Sequence, residues 1–160
     1  MKKIYFAGCG GMLGEAFYKK FNKDYECRFT DKDLNEDWLD FLDFRNAESY
    51  FEDVLNFNPD LLVHLGAYTS LEYCDENELD ALNNNVTSLE TAVLISNKLD
   101  IPLLFISTAG IFDGLKNEYD DWDAPGPLGV YARSKVLAED YISRNANKYY
   151  VMRAGWMMGG

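Results

Sequence analysis

The sequence predicts an α/β domain, a doubly wound parallel sheet held between two layers of helices (α/β/α). Three observations carry this prediction. Short apolar runs of strand length alternate with longer stretches of helical periodicity. Runs such as Lys3–Ala7 and Leu61–Leu65 are nearly continuous in apolar residues, as strands buried on both faces are. A glycine-rich turn, Gly8-Cys9-Gly10-Gly11-Met12-Leu13-Gly14, joins the first run to the first amphipathic stretch.

The elements follow in order. Lys3–Ala7 is a strand that Gly8 ends. Met12–Phe21 sets Leu13, Ala16, Phe17 and Lys20 at helical spacing. Tyr25–Phe29 reads as a second strand and Trp38–Leu42 as a short third. Asn46–Phe57 is helical and stops before Asn58-Pro59, since a proline pushes the preceding residue out of the helical region. Leu61–Leu65 is a buried strand, and one long helix is expected from Glu76 to Leu99. A strand Ile101–Ser107, a helix Val130–Asn145 and a closing strand Tyr149–Ala154 complete the series. No repeat, linker or low-complexity tract divides the 160 residues, so one domain is expected. Sheets wound in this way bind ligands beyond the carboxyl ends of their strands, where strand order reverses.

Charge and cysteine usage narrow the partners. Fifteen basic against 27 acidic residues leave a formal charge of −12, which disfavours nucleic acid and anionic membranes. No apolar run approaches the ~20 residues of a bilayer span, and the segment after Lys2-Lys3 is too short for a signal peptide. Cys9, Cys27 and Cys74 are widely spaced and odd in number, so neither a disulfide framework nor a zinc cluster is indicated, and the cytoplasm is the expected compartment. Cys9 reads as a small filler. The acidic residues Glu118, Asp120, Asp121 and Asp123 lack a metal-ligand spacing; they read as a solvated loop, and no metal is expected. Asp113-Gly114 reads as a turn.

The glycine turn carries chemistry. Gly8-x-x-Gly11-x-x-Gly14 sits between strand and helix, as the phosphate loop of a Rossmann-type fold does. Gly8 allows the tight turn, Gly11 lets a phosphate approach the backbone, and Gly14 lets helix and strand pack closely. The first-turn amides and the helix dipole then attract a pyrophosphate that a chain of charge −12 would otherwise repel, and Gly10, Gly11, Met12 and Leu13 are the candidate cofactor residues of the loop. The expected cofactor is NAD or NADP. Asp31, at the end of the second strand, can accept from both ribose hydroxyls and tilts the choice to NAD, while Lys32 and Arg28 weaken that tilt. A strand-end turn aspartate is the plainer alternative. Asp43-Phe44 can bracket the adenine or simply start a helix.

Tyr131 and Lys135 stand four apart and share a helix face. A phenol ionises near pH 10, and an adjacent ammonium is expected to lower that and make Tyr131 a general acid. Lys135 can also hold the nicotinamide ribose. Ser107-Thr108, ending a strand, offers a hydroxyl to the same carbonyl oxygen. A strand-end cap and a surface helix pair are the structural alternatives. His64, the single histidine, reads as a satisfied core residue.

Together these motifs resemble the extended short-chain dehydrogenase/reductase family, in particular its dTDP-4-dehydrorhamnose reductase branch. The carriers are the glycine loop, Asn58 to Thr69 with Gly66-Ala67-Tyr68, Asn85, Ser107 to Gly114, and Pro125 to Glu139. Tyr150-Val151-Met152-Arg153 resembles the closing strand of the branch. The resemblance implies an NAD(P)H-dependent reductase of a 4-keto nucleotide sugar in dTDP-rhamnose biosynthesis. It implies that Thr108, Tyr131 and Lys135 are catalytic, that Gly66, Ala67 and Tyr68 run along the cofactor, and that Asn85 is structural or catalytic. It implies a homodimer through the helices around Ala81–Leu99 and Val130–Ala146. Ala109-Gly110 replaces the Asp-Tyr pair usual in the branch, which leaves the sugar open and removes the acid a dehydratase needs. The family also carries a C-terminal substrate domain that these 160 residues do not contain, so a fragment is expected. A cofactor-binding regulatory subunit and a nucleotide-sugar epimerase are the competing functions.

Overall fold

A computed structural model describes residues 1–158; Gly159 and Gly160 lie outside the described residues. Six strands form one sheet in the order β3-β2-β1-β4-β5-β6, every pairing parallel. They are β1 (Lys3–Ala7), β2 (Glu26–Asp31), β3 (Asp40–Phe41), β4 (Leu61–His64), β5 (Leu103–Thr108) and β6 (Tyr149–Ala154). The helices are α1 (Met12–Phe21), α2 (Ala47–Phe57), α3 (Leu71–Glu76), α4 (Glu78–Leu82), α5 (Ser88–Leu99) and α6 (Gly129–Asn145). Strand order reverses between β1 and β4, and both neighbours of that gap end in loops on the same side.

Two apolar layers sandwich the sheet. On one face Phe6 and Phe29 stack with ring centres 4.7 Å apart, and Phe17 and Phe21 of α1 pack against Phe6. On the other, Tyr5, Leu62, Leu103 and Phe105 meet Tyr50 and Val54 of α2, Leu89 and Val93 of α5, and Ile142 of α6. Burial of this kind contributes roughly 25 cal/mol per Å² of apolar surface, and the parallel strands depend on it on both faces.

Several elements differ from the expectation; the fifth strand, for one, spans Leu103–Thr108 where Ile101–Ser107 was expected. The second strand spans Glu26–Asp31 where Tyr25–Phe29 was expected, and Asp31 stands at its end as expected. The third strand shrinks to Asp40–Phe41, and Trp38 lies outside it, stacked on Tyr18 at 4.5 Å. The long helix is broken. A short helix that was not expected, α3, precedes it, and Asn77, with φ −128° and ψ 53°, separates α3 from α4. A π-helical turn at Asn83–Thr87 then inserts extra backbone before α5. Among the described residues, no helix is long and apolar enough to cross a membrane.

Candidate functional site

A cavity of about 530 Å³ opens at the carboxyl ends of the strands, over the β1–β4 reversal. The glycine loop forms its floor. Gly8 has φ +83°, and a Cβ there would lie 2.3 Å from the Gly66 backbone, so the two strand-end loops touch. A Cβ on Gly14 would lie 2.0 Å from the Cys9 carbonyl oxygen, which shows how tightly the loop folds over its own helix. Gly11 differs: nothing stands within 4 Å of where its Cβ would be. It is the N-cap of α1, and no side chain caps that helix. The first-turn amides are therefore left for a ligand.

Of the residues expected at the site, Gly8, Gly10, Gly11, Met12 and Leu13 line this cavity. So do Asp31, Phe44, Gly66, Ala67 and Tyr68, together with Thr108, Tyr131 and Lys135. Asp43 does not. Its carboxylate is held by Arg45, Nη2 to Oδ2 at 2.6 Å, and that pairing keeps the acid below its ordinary value. Phe44 comes in alone, its ring wedged against Gly66 and set edge-on to His64.

Asp31 works within the protein as well. Its Oδ2 accepts from the Gly10 amide at 2.8 Å and its Oδ1 from the Asp33 amide at 3.0 Å. One lone-pair direction on each oxygen is thus used, and the carboxylate is fixed in orientation. Asn35, which lines the cavity without having been singled out, donates to the Gly10 carbonyl at 2.9 Å.

The catalytic candidates meet at the ends of β5 and α6. Thr108 accepts from the Gly110 amide at 3.0 Å, which leaves its own hydroxyl proton free to donate. Tyr131 is half-buried. Burial holds its phenol above the ordinary value, and the Thr108 hydroxyl beside it pulls the other way. The expected lowering by Lys135 therefore needs correction. The Lys135 amine points to the Ile106 carbonyl, 3.0 Å away, and stands 5.9 Å from the Tyr131 ring centre. Lys135 is itself buried, and desolvation pushes it down to about 8, with Glu139 opposing.

Behind this pair lies a polar network. Asn85 accepts from the Tyr68 amide at 2.8 Å and donates to the Tyr68 carbonyl and to Ser134 Oγ, each at 3.0 Å. These bonds clamp the loop along the cavity to α6. His64 is a satisfied core residue, with Tyr50 at 3.1 Å on Nδ1 and Ser88 at 3.3 Å on Nε2. Burial pushes it down to about 3, so it stays neutral. Cys9 is a buried filler, and burial pushes its thiol up. In the acidic loop, Asp123 pairs with Lys116 at 2.5 Å and Tyr119 bonds Asp113, so the segment is tied to itself.

Over residues 1–160 the sequence matches the family described as the RmlD substrate binding domain. The chain belongs to that family. Among curated relatives of this RmlD-family chain, the dTDP-4-dehydrorhamnose reductase of Aggregatibacter actinomycetemcomitans is 26% identical, over 99% of this chain and 53% of that protein. Methionine adenosyltransferase 2 subunit beta of Danio rerio is 27% identical, over 99% of this chain and 49% of that protein. The chain thus spans about half the length of the curated relatives it matches. A crystal structure of dTDP-4-dehydrorhamnose reductase from Bacillus anthracis str. Ames, in complex with NADP, superposes with a TM-score of 0.88. That similarity is at 27% identity and covers 98% of this chain and 54% of that one.

Two features of the RmlD-family site stand out only in the folded chain. Ser107 is buried at the cavity, and its hydroxyl has no partner among the described residues. Asp75 reaches the start of α6 across 55 residues of sequence, which no local pattern reveals.

Proposed function

We propose that this chain is the dinucleotide-binding, proton-donating part of an NAD(P)H-dependent reductase of a 4-keto nucleotide sugar. The supporting observation is that one cavity gathers the uncapped amides of α1 and the group Thr108, Tyr131 and Lys135. The residues fit a dinucleotide. The open space at Gly11 and the free first-turn amides suit a pyrophosphate, and the fixed Asp31 carboxylate suits an adenosine ribose. Asp31 tilts the site to NADH, and Lys32 beside it at the cavity keeps NADPH admissible.

The bound cofactor supplies hydride. The chain's own residues do the rest. Gly66 to Tyr68, clamped by Asn85, line the path of the dinucleotide. Lys135, at the base of α6, holds the nicotinamide ribose. Tyr131, whose phenol burial holds above its ordinary value, gives its proton to the sugar carbonyl oxygen. Thr108 donates to the same oxygen with its free hydroxyl proton. Ala109 and Gly110 carry no acid, so dehydration is not part of the reading.

The test is reduction of a panel of 4-keto-6-deoxy nucleotide sugars by the whole protein that carries this chain, followed by NAD(P)H absorbance. Turnover is expected, and Tyr131→Phe lowers it by about 10²–10⁴-fold, the ordinary worth of a positioned general acid. Cofactor binding with no turnover across the panel contradicts the reductase reading.

A further inference from the structure

Helix α6 carries both Tyr131 and Lys135, yet its own sequence does not fix its start. The N-cap, Leu128, offers no side-chain acceptor, and Gly129 follows with φ +83°. The missing acceptor comes from another element. Asp75, on α3, accepts from the Val130 amide at 2.8 Å. A Cβ on Gly129 would lie 3.3 Å from the same carboxylate, so the backbone passes close by it.

The grip on α6 continues on either side. Cys74 is buried with Ala81 and Val130, and Tyr68 and Tyr131 pack on this cluster. The Cys74 thiol donates to the Tyr68 carbonyl at 3.6 Å. Glu78, three residues past Asp75, pairs with Arg133. Segment α3 is anchored in turn by Ser70, which accepts from the Tyr73 amide. Tyr131 follows Val130 directly, so the residue whose amide Asp75 holds sets where the phenol begins.

We propose that Asp75 is the positioning residue of Tyr131: its carboxylate caps α6 from outside the helix and holds the phenol against Thr108 at the cavity. The proposal rests on the reading of Tyr131 as the general acid. A borrowed cap also couples the α3 segment, which follows the loop along the cofactor path, to the proton donor. A shift in one therefore moves the other.

Two variants separate this role from bulk stability. Asp75→Asn keeps an acceptor oxygen; Asp75→Ala removes it. With ¹³C-labelled tyrosine, the Tyr131 signal of the chain, assigned by its loss in Tyr131→Phe, reads the phenol's surroundings without any cofactor. The expected result is a shifted or broadened Tyr131 signal in Asp75→Ala and a native one in Asp75→Asn. In turnover, Asp75→Ala lowers kcat about 10–100-fold, as a misplaced reacting group does, with dinucleotide Kd within about twofold, and Asp75→Asn restores most of it. In a Tyr131→Phe background the Asp75→Ala loss disappears, because the two residues act as a unit. An unmoved Tyr131 signal in Asp75→Ala overturns the proposal. So does an equal loss of dinucleotide affinity that Asp75→Asn does not rescue. If Tyr131→Phe keeps full turnover, the general-acid reading has failed, and the labelled signal still decides the positioning.

Discussion

Each glycine and each buried charge at the site has a separate physical job. Gly8 is required by the fold, since its φ of +83° and the Gly66 backbone 2.3 Å from its Cβ position exclude a side chain. Gly11 is not required by the fold, since the space beside it is open. The sequence spacing marks both alike, and only the surroundings tell them apart. Lys135 shows the cost of a site residue. In the folded chain it releases its proton near pH 8, and in the unfolded chain near 10.5. The unfolded state thus binds more protons between those values, and stability rises with pH across that window. Below pH 8 the full penalty of the buried ammonium is present. Lys135→Met is expected to raise stability at pH 7 by about 1–3 kcal/mol and to flatten the rise between pH 8 and 10.5. Urea unfolding at several pH values checks both, and a destabilised variant with the pH slope intact contradicts the account.

The elements were legible where period and punctuation agreed. Strands β1, β4 and β6 follow from apolar runs that glycine closes, α1 from helical spacing after the glycine turn, and α2 from helical spacing stopped by Asn58-Pro59. The stretch from Glu76 to Leu99 misled because its apolar spacing is helical, while its breaks fall at Asn77 and at the π-helical turn Asn83–Thr87. Asn77 leaves the helical region, and the turn at Asn83–Thr87 aims Asn85 at the Tyr68 backbone. No periodicity encodes a side chain that bonds a loop seventeen residues away. Asn85→Ala leaves the Tyr68 amide and carbonyl without that partner. It is expected to cost about 2–4 kcal/mol in denaturant unfolding with an unchanged m-value, and to weaken dinucleotide binding through the loosened loop. Unchanged stability in this variant means the clamp contributes nothing.

At the scale of the whole molecule, the fold sets the site and the charge opposes it. The order β3-β2-β1-β4-β5-β6 brings the ends of β1 and β4 together, and every candidate residue except Asp43 gathers there. That placement was readable, because the glycine loop, Asp31 and Thr108 each follow a strand end in the sequence. The orientation of Lys135 and the caps supplied across the fold were not, because they depend on which elements pack side by side. A chain of net charge −12 holds an anionic cofactor only through local donors. In the proposed reading these donors are the α1 amides beside Gly11. Calorimetric titration of NADH and NADPH into the protein and into Gly11→Thr tests it most directly. Threonine caps a helix about as well as glycine does, so the unfolding midpoint stays close to that of the wild type, while its side chain fills the space a pyrophosphate needs. The account predicts binding by the wild type and at least about 100-fold weaker binding by Gly11→Thr, as expected when the anion site is blocked. Equal binding by the two proteins, or none by the wild type, contradicts it.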